Sequence, residues 1–212
     1  MTKTMEKIIA GKVIAIVRGI SEKNILPTVQ ALKDGGVTCI EVTFSMSSAG
    51  KSAETVHSIR KIKEHFGDEI TLGAGTVLTP EAVALAKEAG ATYIISPNID
   101  EAVIKETKRL GLVSIPGAVT PSEVYQAYCW GADIVKLFPA ASLGLGYVKA
   151  VLGPLDGIPV AAVGGIDATN YQAFLNAGCV GVGIGGNLVN QRLIEAGDFH
   201  GITKLALEYG LK

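Results

Sequence analysis

Apolar and polar positions alternate along this chain in regular blocks. Eight short apolar runs are each opened by a glycine: Gly11 before KVIAIV, Gly36 before VTCIEVTF, Gly67 before DEITLGAG, Gly90 before ATYIISP, Gly111 before LVSIPG, Gly131 before ADIVKLF, Gly157 before IPVAAVGG and Gly178 before CVGVGIGG. The runs are rich in β-branched residues and lack strict alternation, the pattern of strands buried on both faces. Between them lie segments with helical apolar spacing. Their N-cap signals are Ser21 before EKNILPTVQALKD, Thr79-Pro80, Thr120-Pro121, and Asp167 before ATNYQAFLNAG. Glycine closes several of these segments, where a left-handed residue ends a helix.

Eight strands alternating with helices leave two architectures, an open doubly wound sheet and a closed barrel. No GxGxxG turn follows the first run, which reads IVRGIS. Eight near-regular units in 212 residues fit the barrel better. The expected fold is therefore α/β, one (β/α)8 TIM barrel forming a single domain over 1–212.

Composition narrows the partners. Nineteen basic and 20 acidic residues give a formal charge of −1, which removes the electrostatic reason to expect nucleic acid or an anionic membrane surface. Hydrophobic residues are 48% of the chain, yet no apolar stretch reaches the 18 or so residues that span a bilayer. Met1 to Lys12 lacks the apolar core of a signal peptide. Cys39, Cys129 and Cys179 are far apart and form no CxxC pair, so free buried thiols in a reducing compartment are expected. A cytoplasmic protein follows as the expectation.

In such a barrel the chemistry sits at the C-terminal ends of the strands. Arg18, Glu41, Thr43, Thr76, Ser96, Asn98 and Lys136 fall there. Glu41 in CIEVTF and Lys136 in DIVKLFP are charges inside strongly apolar runs, and an isolated buried charge needs a partner or a task. Each lies five residues past its opening glycine, on the second and sixth runs, so both can enter one interior layer. They could form a buried salt bridge that only fixes register. Alternatively, a desolvated lysine becomes a nucleophile toward carbonyls and the neighbouring carboxylate moves protons for it.

The seventh and eighth runs end in Gly164-Gly165 and Gly185-Gly186. Both pairs are expected to open helices and to present backbone N–H groups to phosphate, although tight turns alone would also call for glycine. His57, His65 and His200 fall away from the expected mouth, which disfavours a transition-metal centre and a histidine-activated nucleophile. No metal and no cofactor are expected.

The ordered set Glu41-Val42-Thr43, Gly73-Ala74-Gly75-Thr76-Val77, Ser96-Pro97, Pro116-Gly117, Lys136-Leu137-Phe138-Pro139, Gly164-Gly165 and Gly185-Gly186 resembles the class I 2-keto-3-deoxy-6-phosphogluconate (KDPG) aldolase family. That family also includes 4-hydroxy-2-oxoglutarate (KHG) aldolases and phosphogalactonate aldolases. The resemblance runs over nearly the whole chain. It implies Lys136 as the Schiff-base lysine, Glu41 as the general acid/base, and Thr76 at the carboxylate of the pyruvyl group. Arg18 matches an arginine that some members carry at the end of the first strand. Pro97 and Phe138 become pocket walls, and Gly164, Gly165 and Gly185 the phosphate-binding backbone, with Gly186 beside them. A small keto-acid substrate, usually phosphorylated, and a homotrimer are implied as well.

Two positions depart from the family pattern. Ser45 stands where many members have arginine near the substrate carboxylate. Gly186 stands where a serine often donates its hydroxyl to phosphate, and losing such a charge-assisted bond costs about 1.5–3 kcal/mol. Gluconate- and galactonate-derived substrates both remain open. So do a metal-dependent lyase or isomerase on the same barrel and a non-catalytic phosphosugar-binding barrel.

Overall fold

Parallel strands occupy the expected runs in the computed structural model, which describes residues 1–45 and 49–210. The expected domain bounds also take in residues 46–48 and 211–212, which lie outside the described residues. The strands are β1 (Val13–Val17), β2 (Cys39–Thr43), β3 (Thr71–Gly75), β4 (Tyr93–Ile95), β5 (Val113–Ile115), β6 (Gly117–Ala118), β7 (Val135–Leu137), β8 (Val160–Val163) and β9 (Gly181–Ile184). Their order around the sheet is β5-β4-β3-β2-β1-β9-β8-β7-β6. The two ends, β5 and β6, are joined in sequence by Pro116 alone. Hydrogen bonds from Lys136 N to Pro116 O (2.8 Å) and from Asp133 N to Ser114 O (2.9 Å) tie this segment to the middle of β7 and to the turn just before it, so the barrel closes.

Among the described residues there are therefore nine strand segments where eight runs were expected, because the fifth run is split. Proline has no N–H to give the ladder, and Gly117 beyond it presses so close to the Pro97 backbone that a Cβ there would overlap it.

Helices α1 (Lys3–Gly11), α2 (Glu22–Asp34), α3 (Ala49–Phe66), α4 (Pro80–Ala89), α5 (Glu101–Arg109), α6 (Pro121–Cys129), α7 (Ala140–Leu143), α8 (Leu145–Leu152), α9 (Tyr171–Asn176), α10 (Gln191–Glu195) and α11 (Phe199–Leu207) complete the fold. Thr79 caps α4 through Ala82 N (3.2 Å). Thr120 and Glu123 form a reciprocal capping box on α6, with Thr120 N donating to Glu123 Oε2 at 2.7 Å. Ser21 occupies the N-cap of α2 without a side-chain cap bond.

Asp167 does not cap a helix. Its carboxylate folds a turn by accepting from Thr169 N, Thr169 Oγ1 and Asn170 N, and α9 begins four residues later behind Asn170. Helix α1 was not among the expected elements. Thr2 caps it through Met5 N, and its Ile8 closes the N-terminal end of the barrel.

The strands divide the core into two layers with a period of two. Val13, Ala15 and Val17 of β1 face the helices, while Ile14 joins Ile8, Cys39, Tyr93, Ile95, Val113, Ile115, Ile134 and Ala161 inside the barrel. Burying one such aliphatic side chain is worth about 1.5–3 kcal/mol. Cys39 and Cys179 are buried as expected, but Cys129 is exposed. It is the last residue of α6, on the outward face that also carries the exposed Tyr125 and Tyr128. No helix among the described residues is long and apolar enough to cross a membrane.

Candidate active site

Inward-facing positions of β2 and β7 supply the two charges. Glu41 lies mid-strand in β2, in register with Ile16 of β1 and Gly73 of β3. Lys136 lies mid-strand in β7, in register with Gly117 of β6 and Ala161 of β8. Only 2% of Glu41 and 7% of Lys136 is exposed. Both line one cavity of about 430 Å³ at the C-terminal ends of the strands, as do Arg18, Thr76, Pro97, Phe138, Gly164, Gly165, Gly185 and Gly186, whereas Thr43, Ser96 and Asn98 do not.

Glycines make the room. A Cβ on Gly75 would overlap the Glu41 carboxylate, and a Cβ on Gly73 would overlap the Tyr93 ring. The bare face of β3 is thus filled by side chains from both its neighbours.

None of the ion pairs among the described residues includes Glu41 or Lys136. They face each other without direct contact, which counts against a bridge that merely fixes register. Burial pushes the Lys136 ammonium toward its neutral form; Glu41 opposes this and Arg18 adds to it. Burial raises the Glu41 carboxyl, against the pull of Lys136 and Arg18. Each group is therefore drawn toward the neutral state, an amine that can attack and an acid that can give a proton. The Lys136 Nζ sits 5.1 Å from the centre of the Phe138 ring, and that ring is 38% exposed at the rim.

Thr76 follows β3 directly with φ 56°. A β-branched residue in this left-handed region is held against its preference, at a cost on the order of 1–3 kcal/mol, as occurs where a site fixes a backbone. Arg18, exposed at the end of β1, lines the same cavity. Ser96 is taken by the scaffold, since its hydroxyl donates to Val77 O at 2.6 Å. Thr43 is buried, and its Oγ1 has no hydrogen-bond partner among the described residues.

The glycine pairs behave differently from each other. Gly164 (φ 94°) and Gly165 (φ 73°) are both left-handed, so glycine is required there by the turn. Gly185 and Gly186 are not left-handed, and a Cβ on either would meet nothing within 4 Å. Their missing side chains leave the backbone open to the cavity. No hydrogen bond among the described residues uses the N–H of Gly165, Gly186 or Asn187. Neither pair opens a helix directly, contrary to expectation: turns intervene before α9 and α10, secured by Asn170 Nδ2 to Gly165 O and Asn187 Nδ2 to Ile166 O, both 3.0 Å. The N–H array, rather than a helix end, is what remains for an anion.

A second depression of about 590 Å³ adjoins the first, shares Arg18 and Thr76, and holds neither Glu41 nor Lys136. The histidines stand on helices. His57 and His65 belong to α3, with His57 3.1 Å from Glu22 Oε1, and His200 belongs to α11. Sequence reasoning named Gly73 and Gly75 only as part of a motif, without a role, and missed Tyr93. The period of two along GAG, set against an acidic neighbour on the preceding strand, is the signal that could have found the glycines.

A model of the family "KDPG and KHG aldolase" matches residues 4–205. A 2-dehydro-3-deoxy-6-phosphogalactonate aldolase of Escherichia coli K12 is 36% identical over 82% of this chain and 83% of its own length. A KHG/KDPG aldolase of the same organism is 36% identical over 93% of this chain and 90% of its own. A KDPG aldolase from Legionella pneumophila, crystallised with pyruvate captured at low pH as a covalent carbinolamine intermediate, superposes with a TM-score of 0.87 at 27% identity over 97% of each chain.

Proposed function

The chain belongs to the KDPG and KHG aldolase family, and we propose that it is a Schiff-base aldolase that releases pyruvate from a 2-keto-4-hydroxy acid. The observation that carries this reading is the Glu41–Lys136 pair, buried in one cavity, uncommitted to each other, and both drawn toward neutrality.

Neutral Lys136 Nζ adds to the C2 carbonyl, and neutral Glu41 gives its proton to the departing hydroxyl, so the carbinolamine loses water to give an iminium and Glu41 is left ionised. The C4 hydroxyl gives its proton to ionised Glu41. The C3–C4 bond breaks, its electron pair moves into the iminium to form an enamine, and the aldehyde leaves. Glu41 returns the proton to C3, and water then hydrolyses the iminium to pyruvate and neutral Lys136, its released proton going back to Glu41. The iminium is the electron sink, so this chemistry calls for no metal or cofactor.

Thr76 and Arg18 are assigned to the C1 carboxylate, and Pro97 and Phe138 to the walls. The open N–H groups around Gly164, Gly165, Gly185 and Gly186 are assigned to a phosphate on the aldehyde half. The leading substrates are KDPG, giving glyceraldehyde 3-phosphate, and KHG, giving glyoxylate. The phosphogalactonate isomer is the second reading, since an aldolase of that name is as identical to this chain, 36%, as the KHG/KDPG aldolase. We place the enzyme in the cytoplasm as a homotrimer of one-domain chains, which light scattering tests against the 22.0 kDa protomer mass.

Pyruvate release is read by coupled reduction to lactate, with KDPG, its galactonate isomer and KHG offered separately. Activity abolished by Lys136→Ala supports the reading. Activity that survives Lys136→Ala but not a chelator would replace it with a metal-dependent lyase, and binding without turnover would leave a phosphosugar-binding barrel.

A further inference from the structure

Glu41 and Tyr93 flank the same residue. Gly73 of β3 pairs in register with Glu41 on β2 and with Tyr93 on β4. With adjacent strands about 4.8 Å apart, a tyrosine leaning over a bare glycine reaches the strand beyond it. The Tyr93 ring does this, since it fills the space where a Gly73 Cβ would stand. Its hydroxyl is thereby carried toward β2, whose Glu41 carboxylate lies over Gly75, two residues along β3.

This hydroxyl is fully buried and has no hydrogen-bond partner among the described residues. An unmet buried donor is costly, and a purely apolar role would be served as well by phenylalanine. The titratable groups facing it are Cys39 and Glu41, both on β2. Cys39 donates its own proton to Lys7 O (3.7 Å), and burial lifts its thiol to about 11, so it is a poor acceptor. Glu41 is faced in turn by Lys136 from β7 and Arg18 from the end of β1. A carboxylate is the strong acceptor in this set.

We propose that Tyr93 is a positioning residue for Glu41: its ring holds the carboxyl up over Gly75, and its hydroxyl donates to the carboxylate whenever Glu41 is ionised. The inference rests on the aldolase reading for Glu41's task. It adds a hydroxyl donor that stabilises the conjugate base on which proton abstraction from C4 depends.

Tyr93→Phe keeps the ring and deletes the donor. The acid limb of kcat/KM then moves upward by about one pH unit, the size a hydrogen bond to a charged group confers. Below that limb kcat falls about tenfold, while KM stays within about twofold. Independently of turnover, the protonated carboxyl stretch in infrared difference spectra, assigned by its loss in Glu41→Gln, titrates at higher pH in Tyr93→Phe. A rate profile and carboxyl titration that superpose on those of the parent overturn the proposal, even if the variant gains stability from losing an unmet hydroxyl. If the parent forms no pyruvate adduct, the aldolase reading falls instead, and the infrared titration still decides whether Tyr93 acts on Glu41.

Discussion

Gly75 has no side chain in the one place where the Glu41 carboxylate needs the room. Two strands have to agree for this to work: β2 places a buried acid facing inward, and β3 stays bare beside it. Tyr93 uses Gly73 in the same way from the other side.

Gly75→Ala is expected to force Glu41 out of position. Gly75 is not left-handed, so the penalty is overpacking alone, about 1–3 kcal/mol. Denaturant unfolding measures that cost, and the same variant loses kcat through the displaced carboxylate. Unchanged kcat with lowered stability would mean that Glu41 position is unimportant to turnover.

Glu41→Gln is expected to lower kcat by about 10²–10⁴-fold while stabilising the fold at neutral pH. Burial raises the folded-state pKa of Glu41. Its contribution to stability is therefore fully present below the ordinary glutamate value of about 4.3 and is lost as pH rises through the folded value. Glutamine has no such loss. Unfolding curves across this window should converge at low pH and separate at high pH, with the variant above.

The rate of adduct formation with pyruvate should rise with pH to a midpoint below the ordinary lysine value of about 10.4, because burial favours neutral Lys136. Arg18 pushes in the same direction and Glu41 in the opposite one. Arg18→Met should therefore move the midpoint up, and Glu41→Gln should move it down. Shifts of the same sign in both variants would contradict this electrostatic account.

Gly186→Ser restores a hydroxyl where the backbone conformation and the open space both accept it. For a phosphorylated substrate KM should fall about tenfold, the value of one hydrogen bond to a charged group. KM for unphosphorylated KHG should not move. Equal effects on both substrates would place the phosphate elsewhere.

Much of the barrel was legible because the repeat is physical: each unit must end a helix, turn and enter a buried strand. Six of the eight opening glycines are left-handed; at Gly11 the neighbouring Lys12 takes that conformation instead (φ 58°). Lys136 and Glu41 stood out because a charge inside an apolar run is expensive. Other features needed neighbours that only the fold supplies. Pro116 splits the fifth strand although LVSIPG reads as one run. Asp167 has the residue type of a cap, yet its carboxylate is consumed by its own turn. Cys129 sits on the outward face of α6, which a run of apolar letters does not reveal. Tyr93 reads as ordinary core until its hydroxyl is found unpartnered beside β2.

A covalent bond between Lys136 and the keto carbon underlies every step of the proposed cycle, and borohydride reduction with pyruvate traps it. Intact mass and peptide mapping should show one reduced adduct, on Lys136, absent from Lys136→Ala and formed with no added metal. A folded protein that gives no adduct at saturating pyruvate, or an adduct on another lysine, would contradict the account.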